Sequence, residues 1–237
     1  MRINKIILFC LLLVSINSYG QFYLGARGGY NISSVSFLPT QDEEQVNDLH
    51  IDAGFVAKHF DTKYFGFQGE LNLTQRGYRA PIVDSVFNKR INTYIELPMF
   101  MQIKAEHKGF FVHLNVGFYA SVLLESQHGN NQQGEYNLNT YDIHVLRDNR
   151  FDYGIPGGVG FGYNFKWGTL QLDARYFYGL GDLYHHDYNG NPMRSPARVL
   201  NFSVSYLLNI SKLRENRTKI DYIVQPEEDS IENIKQE

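Results

Sequence analysis

The sequence predicts an all-β fold, an eight-stranded antiparallel up-and-down transmembrane barrel, and three observations predict it. About eight segments alternate between an apolar parity and a polar one, which is the period of a strand. The connections between them alternate between tight and long. After the first twenty residues, no apolar run approaches the ~20 residues that a membrane helix needs.

Residues 1–20 read as a signal peptide. Arg2 and Lys5 form its positive region, Ile6 to Val14 its apolar core, and Ser18-Tyr19-Gly20 a small-residue cleavage site. The single cysteine, Cys10, leaves with it, so the remaining chain has no disulfide, thiolate nucleophile or cysteine metal site. Without Arg2 and Lys5, 20 basic residues stand against 25 acidic ones. That balance argues against nucleic acid, which wants a basic face. The candidate barrel domain spans 21–210, and 211–237 form a charged tail.

The candidate strands run roughly over 21–35, 49–59, 64–78, 89–104, 109–124, 151–165, 168–180 and 197–210. The links after strands two, four and six are tight: Phe60-Asp61-Thr62-Lys63, Ala105-Glu106-His107-Lys108 and Lys166-Trp167. The links 36–48, 79–88, 125–150 and 181–196 are long. Short turns at one end and long loops at the other are the pattern of outer-membrane barrels, with the short turns periplasmic and the loops extracellular.

Which parity faces inward separates a soluble barrel from one in lipid. The third strand sets Phe65, Phe67, Leu71 and Leu73 against Gln68, Glu70, Asn72, Thr74 and Arg76. The fifth sets Phe110, Val112, Leu114, Val116 and Phe118 against His113, Asn115, Gly117 and Ser121. The sixth sets Tyr153, Ile155, Val159, Phe161 and Tyr163 against Asp152, Gly154, Gly158, Gly160 and Gly162. A solvent face would carry Lys and Glu, and repeated glycine there would weaken the strand for no gain. On the inner wall of a narrow barrel, glycine makes room for bulky neighbours. An Arg or Lys facing lipid at midplane costs about 2–4 kcal/mol. Polar-in, apolar-out follows. Aromatics near strand ends, among them Phe22, Tyr23, Tyr64, Phe65, Phe151, Phe165 and Tyr178, fit interfacial girdles.

The inward parity gathers Arg27, Glu70, Arg76, Glu96, Asp173 and Arg175, read as a structural network of ion pairs. Eight strands enclose an interior just wide enough for side chains, so the lumen is expected to be packed and not an aqueous pore. Paired carboxylates can do acid–base chemistry, but in so narrow a barrel they read as a structural plug of satisfied salt bridges. In the link after strand seven, His185, His186 and Asp187 are weak metal candidates, and vicinal histidines point to opposite sides of an extended chain. The run Gly157 to Gly162 lacks both the GxGxxG spacing and a following helix. No cofactor, no metal and no catalytic residue is expected.

Several segments resemble a known family. They are Gly25-Ala26-Arg27-Gly28-Gly29-Tyr30-Asn31, Gln68-Gly69-Glu70-Leu71-Asn72, Gln75-Arg76-Gly77, Tyr94-Ile95-Glu96-Leu97-Pro98, the glycine run to Tyr163, and Arg175-Tyr176-Phe177-Tyr178-Gly179-Leu180. In this order they are similar to the PorT-type outer-membrane β-barrel family of Bacteroidota, the "porin family". The resemblance covers about 21–210 and implies an eight-stranded barrel in the outer membrane. PorT itself is implicated in type IX secretion, and no motif here singles out that member.

The expected role is structural or interaction-based in the cell envelope. The expected partners are outer-membrane lipid and an envelope protein met through the loops or the 211–237 tail. A component of a secretion assembly is one narrower reading. Two rivals come from other classes. A soluble periplasmic ligand-binding barrel would extract without detergent, and a loop-based outer-membrane hydrolase would lose activity on His185→Ala or His186→Ala.

Overall fold

The computed structural model describes residues 20–36, 48–83, 86–132, 135–144, 148–184 and 194–212. The signal peptide, His185 to Asp187 and the tail beyond Lys212 lie outside these residues. Among the described residues nine strands form one antiparallel sheet: β1 (Gln21–Val35), β2 (Asp48–Phe60), β3 (Phe65–Val83), β4 (Val86–His107), β5 (Phe110–Gln132), β6 (Glu135–Thr140), β7 (Phe151–Asn164), β8 (Thr169–Gly179) and β9 (Ala197–Asn209). Pairing runs β1-β2-β3-β4-β5-β7-β8-β9 and returns to β1, from Tyr23↔Asn209 to Val35↔Ala197. This is a closed barrel of eight strands, so every wall strand has two neighbours and no barrel edge is left to pair elsewhere.

β6 is the ninth strand. It lies outside the closed wall and pairs only with the far end of β5, from Gln127↔Thr140 to Gln132↔Glu135. The segments 79–88 and 125–150, expected as loops, are therefore largely strand. β3 and β4 continue as a hairpin to Val83 and Val86, and β5 continues to Gln132. A strand that has left the lipid needs no apolar parity, so the alternation that marks the wall disappears while the backbone pairing continues.

At the other end the connections are tight. The β4–β5 hairpin turns on Lys108 and Gly109, both at positive φ (51° and 87°). That is the backbone of a two-residue turn matching the strand twist, and Gly109 takes it without strain. Pro98 on β4 and Pro156 on β7 have no N–H to give, and the β3–β4 and β5–β7 ladders are each interrupted over two pairs there.

Burial alternates with the polar parity inside. On β9, Val199, Asn201, Ser203, Ser205 and Leu207 are buried while Leu200, Phe202, Val204, Tyr206 and Leu208 are exposed. The same inversion holds around the wall: Phe55, Leu71, Met99, Leu114, Phe118, Val159 and Phe161 face outward. A continuous apolar band of this kind suits lipid, not water. Aromatics flank it, with Tyr64, Phe65, Phe110, Phe165 and Trp167 at the short-turn end and Tyr30, Phe151, Tyr153, Tyr176 and Tyr178 at the other. Tyr23 does not join that girdle. It shares the parity of Arg27 and packs inside with Val56, Phe60 and Leu207.

The interior is layered. Tyr23, Val56, Phe60 and Leu207 form an apolar layer near the short turns. A second apolar layer, Phe100, Tyr119, Phe177 and Val199, lies towards the opposite end. Charged groups fill the space between and beyond them.

Candidate functional site

The buried charges of the lumen are Arg27, Lys58, Arg76, Arg90, Lys104 and Arg175 against Asp52, Glu70, Glu96, Asp148, Asp152 and Asp173. Among the described residues the two signs are therefore equal in number. An unpaired charge in this interior would cost several kcal/mol, and balance is the condition for burying so many.

Glu70 is the hub of the central cluster. Its Oε2 accepts from Arg27 Nη1 at 2.8 Å and its Oε1 from Arg175 Nη1 at 2.7 Å. Gln68 Nε2 at 2.5 Å and Asn72 Nδ2 at 3.0 Å complete its shell. Arg27 also lies 2.9 Å from Asp52 Oδ2, and Asn201 donates to the same oxygen at 2.8 Å. Arg175 reaches Asp173 Oδ2 at 3.2 Å, and its guanidinium stacks 4.5 Å from the Phe100 ring centroid. Asp173 takes His113 Nε2 at 2.8 Å and Gln171 Nε2 at 2.7 Å, while Lys58 donates to the Gln171 carbonyl.

Arg76 and Glu96 belong to a second cluster. Arg76 pairs with Glu96 and, at 2.8 Å, with Asp152, which also accepts from Tyr119 Oη at 3.0 Å. Its guanidinium lies 4.9 Å from the Tyr119 ring and 5.5 Å from that of Tyr94. Above it, Arg90 donates to Ser126 Oγ at 3.0 Å and Tyr184 Oη at 2.6 Å, and meets Asp148 at 3.4 Å. Tyr141 covers the Arg90 guanidinium at 4.1 Å and donates to Asp148 Oδ1 at 3.1 Å, so these two residues cap this end of the lumen.

Of the six residues expected in one network, the structure thus joins Arg27, Glu70, Asp173 and Arg175 and places Arg76 and Glu96 apart. Asp52, Lys58, His113, Asp152, Arg90 and Asp148 were not in that set. Parity would have found Asp52 and Lys58, because His50, Asp52, Val56 and Lys58 alternate with Leu49, Ile51, Ala53 and Phe55 on β2. Parity would also have found Arg90, which shares the side of Asn92 and Glu96 on β4, whereas Asp148 had no such signal because it lies outside the strands. Among the described residues no group of three or more His, Cys, Asp or Glu side chains gathers for a metal ion.

The glycines of β7 create the room this packing uses. A Cβ on Gly160 would come within 2.4 Å of His113 Nε2, and one on Gly158 within 2.8 Å of Arg175 Cγ. Gly160→Val is therefore expected to push His113 off Asp173 and to cost about 1–3 kcal/mol by overpacking. Urea unfolding in detergent micelles checks it, and an unchanged midpoint would show that the His113 ring moves aside freely.

Two small voids lie among the lumen side chains. One of about 20 Å³ lies between Arg76, Asp152 and Leu183, and one of about 10 Å³ between Lys58, Lys104 and Phe111. Each has room for about one water molecule.

Solved structures similar to this chain are outer-membrane proteins. The attachment invasion locus protein Ail of Yersinia pestis, in complex with the heparin analogue sucrose octasulfate, is 14% identical, with 79% of this chain and 99% of that one covered and a TM-score of 0.41. OprG of Pseudomonas aeruginosa is 10% identical, with 81% and 96% covered and a TM-score of 0.48. The outer membrane protein W of E. coli is 16% identical, with 81% and 99% covered and a TM-score of 0.37. No curated protein matches the chain. The model of the outer membrane protein beta-barrel domain matches residues 17–185, more than two thirds of the sequence. With the closed wall and its outward apolar band, that match makes the chain a member of the outer membrane protein beta-barrel domain family.

Proposed function

We propose that this protein is a closed, non-conducting outer-membrane barrel that works through its two ends, as an anchored structural or interaction element of the cell envelope without enzymatic chemistry of its own. The observation that carries the reading is the filled lumen: six cations and six carboxylates are buried there among the described residues. Moving ions through it would mean breaking contacts that each leave a buried charge uncompensated. The work is left to the short-turn end, taken as periplasmic, and to the extended β3–β4 and β5–β6 hairpins at the other, taken as extracellular. The sequence resemblance to PorT-type barrels supports a narrower reading, in which the envelope partner belongs to a secretion assembly.

Reconstitution into planar bilayers tests the first part. The expected result is no stable conductance, and reproducible ion-conducting steps would overturn it. Affinity purification from the native envelope tests the second, where recovery of secretion components would support the narrower reading and recovery of the barrel alone would remove it.

A further inference from the structure

The outward parity of β9 carries one charge. From the end opposite the short turns it reads Arg198, Leu200, Phe202, Val204, Tyr206 and Leu208, all of them exposed. Arg198 is six residues from Val204, about 20 Å along the strand and about 15 Å along the membrane normal at the usual tilt of a barrel wall. The apolar band of such a barrel is about 25 Å tall. With Val204 near the middle of the band, Arg198 stands just outside the hydrocarbon, at the depth of the lipid headgroups.

The row that holds Arg198 is polar. Ser34 on β1 and Tyr178 on β8 are its cross-strand neighbours, and both share its outward parity. The guanidinium lies 5.3 Å from the Tyr178 ring centroid. The rows beneath are apolar: first Ile32, Leu200 and Tyr176, then Tyr30, Phe202 and Ala174.

Among the described residues no carboxylate is paired with Arg198. Asp182, just past the end of β8, accepts from the Ser195 N–H at 2.6 Å and lies 3.7 Å from Arg194. Glu125 is on β5, three strands away, where it accepts from Gln127. The buried arginines behave otherwise: Arg27, Arg76, Arg90 and Arg175 each meet a carboxylate at 3.4 Å or less.

We propose that Arg198 and Ser34 form a binding site for the phosphate group of a membrane lipid, in the leaflet at the long-hairpin end. The planar fork of the arginine matches two phosphate oxygens, which a point charge does not. The Ser34 hydroxyl, on a Cβ about 5 Å away across the strand pair, can donate to a third oxygen. A free anion would find the same donors. The lipid is favoured because the apolar rows lie directly beneath them, so one molecule meets the donors with its headgroup and Leu200, Ile32 and Phe202 with its acyl chains. The site rests on the reading that this wall spans a bilayer.

The test uses the full chain in phosphatidylcholine vesicles, carrying Trp167→Phe and Tyr176→Trp. Its single tryptophan then stands one row below Arg198, beside Leu200. The probes are phosphatidic acid and phosphatidylcholine with the same brominated acyl chains, added at equal mole fraction. Phosphatidic acid is expected to quench this tryptophan as though about fivefold enriched around it, the scale of one arginine facing an anionic headgroup. Arg198→Gln should remove the preference. Lys166→Gln, which changes the net charge equally at the short-turn end, should keep it. An unchanged heat-dependent gel shift shows that each variant is folded.

Equal quenching by the two lipids, or a preference that survives Arg198→Gln, overturns the proposal and leaves the membrane reading intact. No quenching by either lipid overturns that reading and the proposal with it. Bilayer lipid is present at a far higher local concentration than a dilute solute. If millimolar inorganic phosphate nevertheless abolishes the preference, and chloride at equal ionic strength does not, the ligand is the free anion and the lipid assignment falls.

Discussion

Arg175→Met is expected to lower the unfolding free energy by about 3–5 kcal/mol, the range for removing one partner of a buried ion pair. Arg175 has no solvent exposure and pairs with Glu70 at 2.7 Å and Asp173 at 3.2 Å. The methionine fills much of the same volume, so the cost is chiefly electrostatic. Glu70 would keep Arg27 and Asp173 would keep His113, but the lumen would hold one carboxylate too many. Its remedy is protonation, which should shift the loss towards neutral pH and reduce it in acid.

Urea titration in lipid vesicles, followed by the heat-dependent gel shift, measures the effect. The companion is a double-mutant cycle with Glu70→Gln. Because the two side chains share a network, their effects should fall short of additivity, by a coupling of about 0.5–3 kcal/mol. A loss below about 1 kcal/mol for Arg175→Met, or strict additivity, would mean that water reaches this layer and screens it. The packed-lumen reading of function would fall with it.

The wall was legible residue by residue because lipid enforces a two-residue period, and it was legible only where lipid does so. Arg27, Glu70, Arg76, Glu96, Asp173 and Arg175 are all buried on the parity that the sequence assigns to the inside. Their partners were not legible. Glu70 meets Arg175 across 105 residues of sequence, and which side chains share a level depends on the stagger of strands around the barrel. Parity also says nothing of the aromatic layers. Phe100, Tyr119 and Phe177 share the inward parity with charged residues, and they split the column into separate clusters. Above the lipid the period has no cause, so the extensions of β3, β4 and β5 and the whole of β6 read as loop. His185, His186 and Asp187 lie outside the described residues.

Val204→Arg should cost about 2–4 kcal/mol in a lipid bilayer, the penalty for a guanidinium at midplane on the outer face of a barrel. Val204 sits midway along the exposed parity of β9, between Phe202 and Tyr206, with Gly28 of β1 and Leu172 of β8 directly beside it. Gly28 offers no side chain to cover the new charge, so its head group must reach an interface or draw water into the acyl region. Val204→Leu, which only adds a methylene against lipid, should remain within about 1.5 kcal/mol of the parent. The two substitutions together separate the membrane barrel from its soluble rival by sign and size. On a water-facing wall the arginine would be the milder change, within about 0.5 kcal/mol, because surface substitutions away from special features rarely do more. The measurement is urea unfolding in phosphatidylcholine vesicles of graded thickness. The arginine penalty should grow as the bilayer thickens and its charge is held farther from either interface. A penalty independent of thickness would place Val204 outside the hydrocarbon. In that case the apolar band would have to be covered by protein, and avoidance of lipid would no longer explain why the charges face inward.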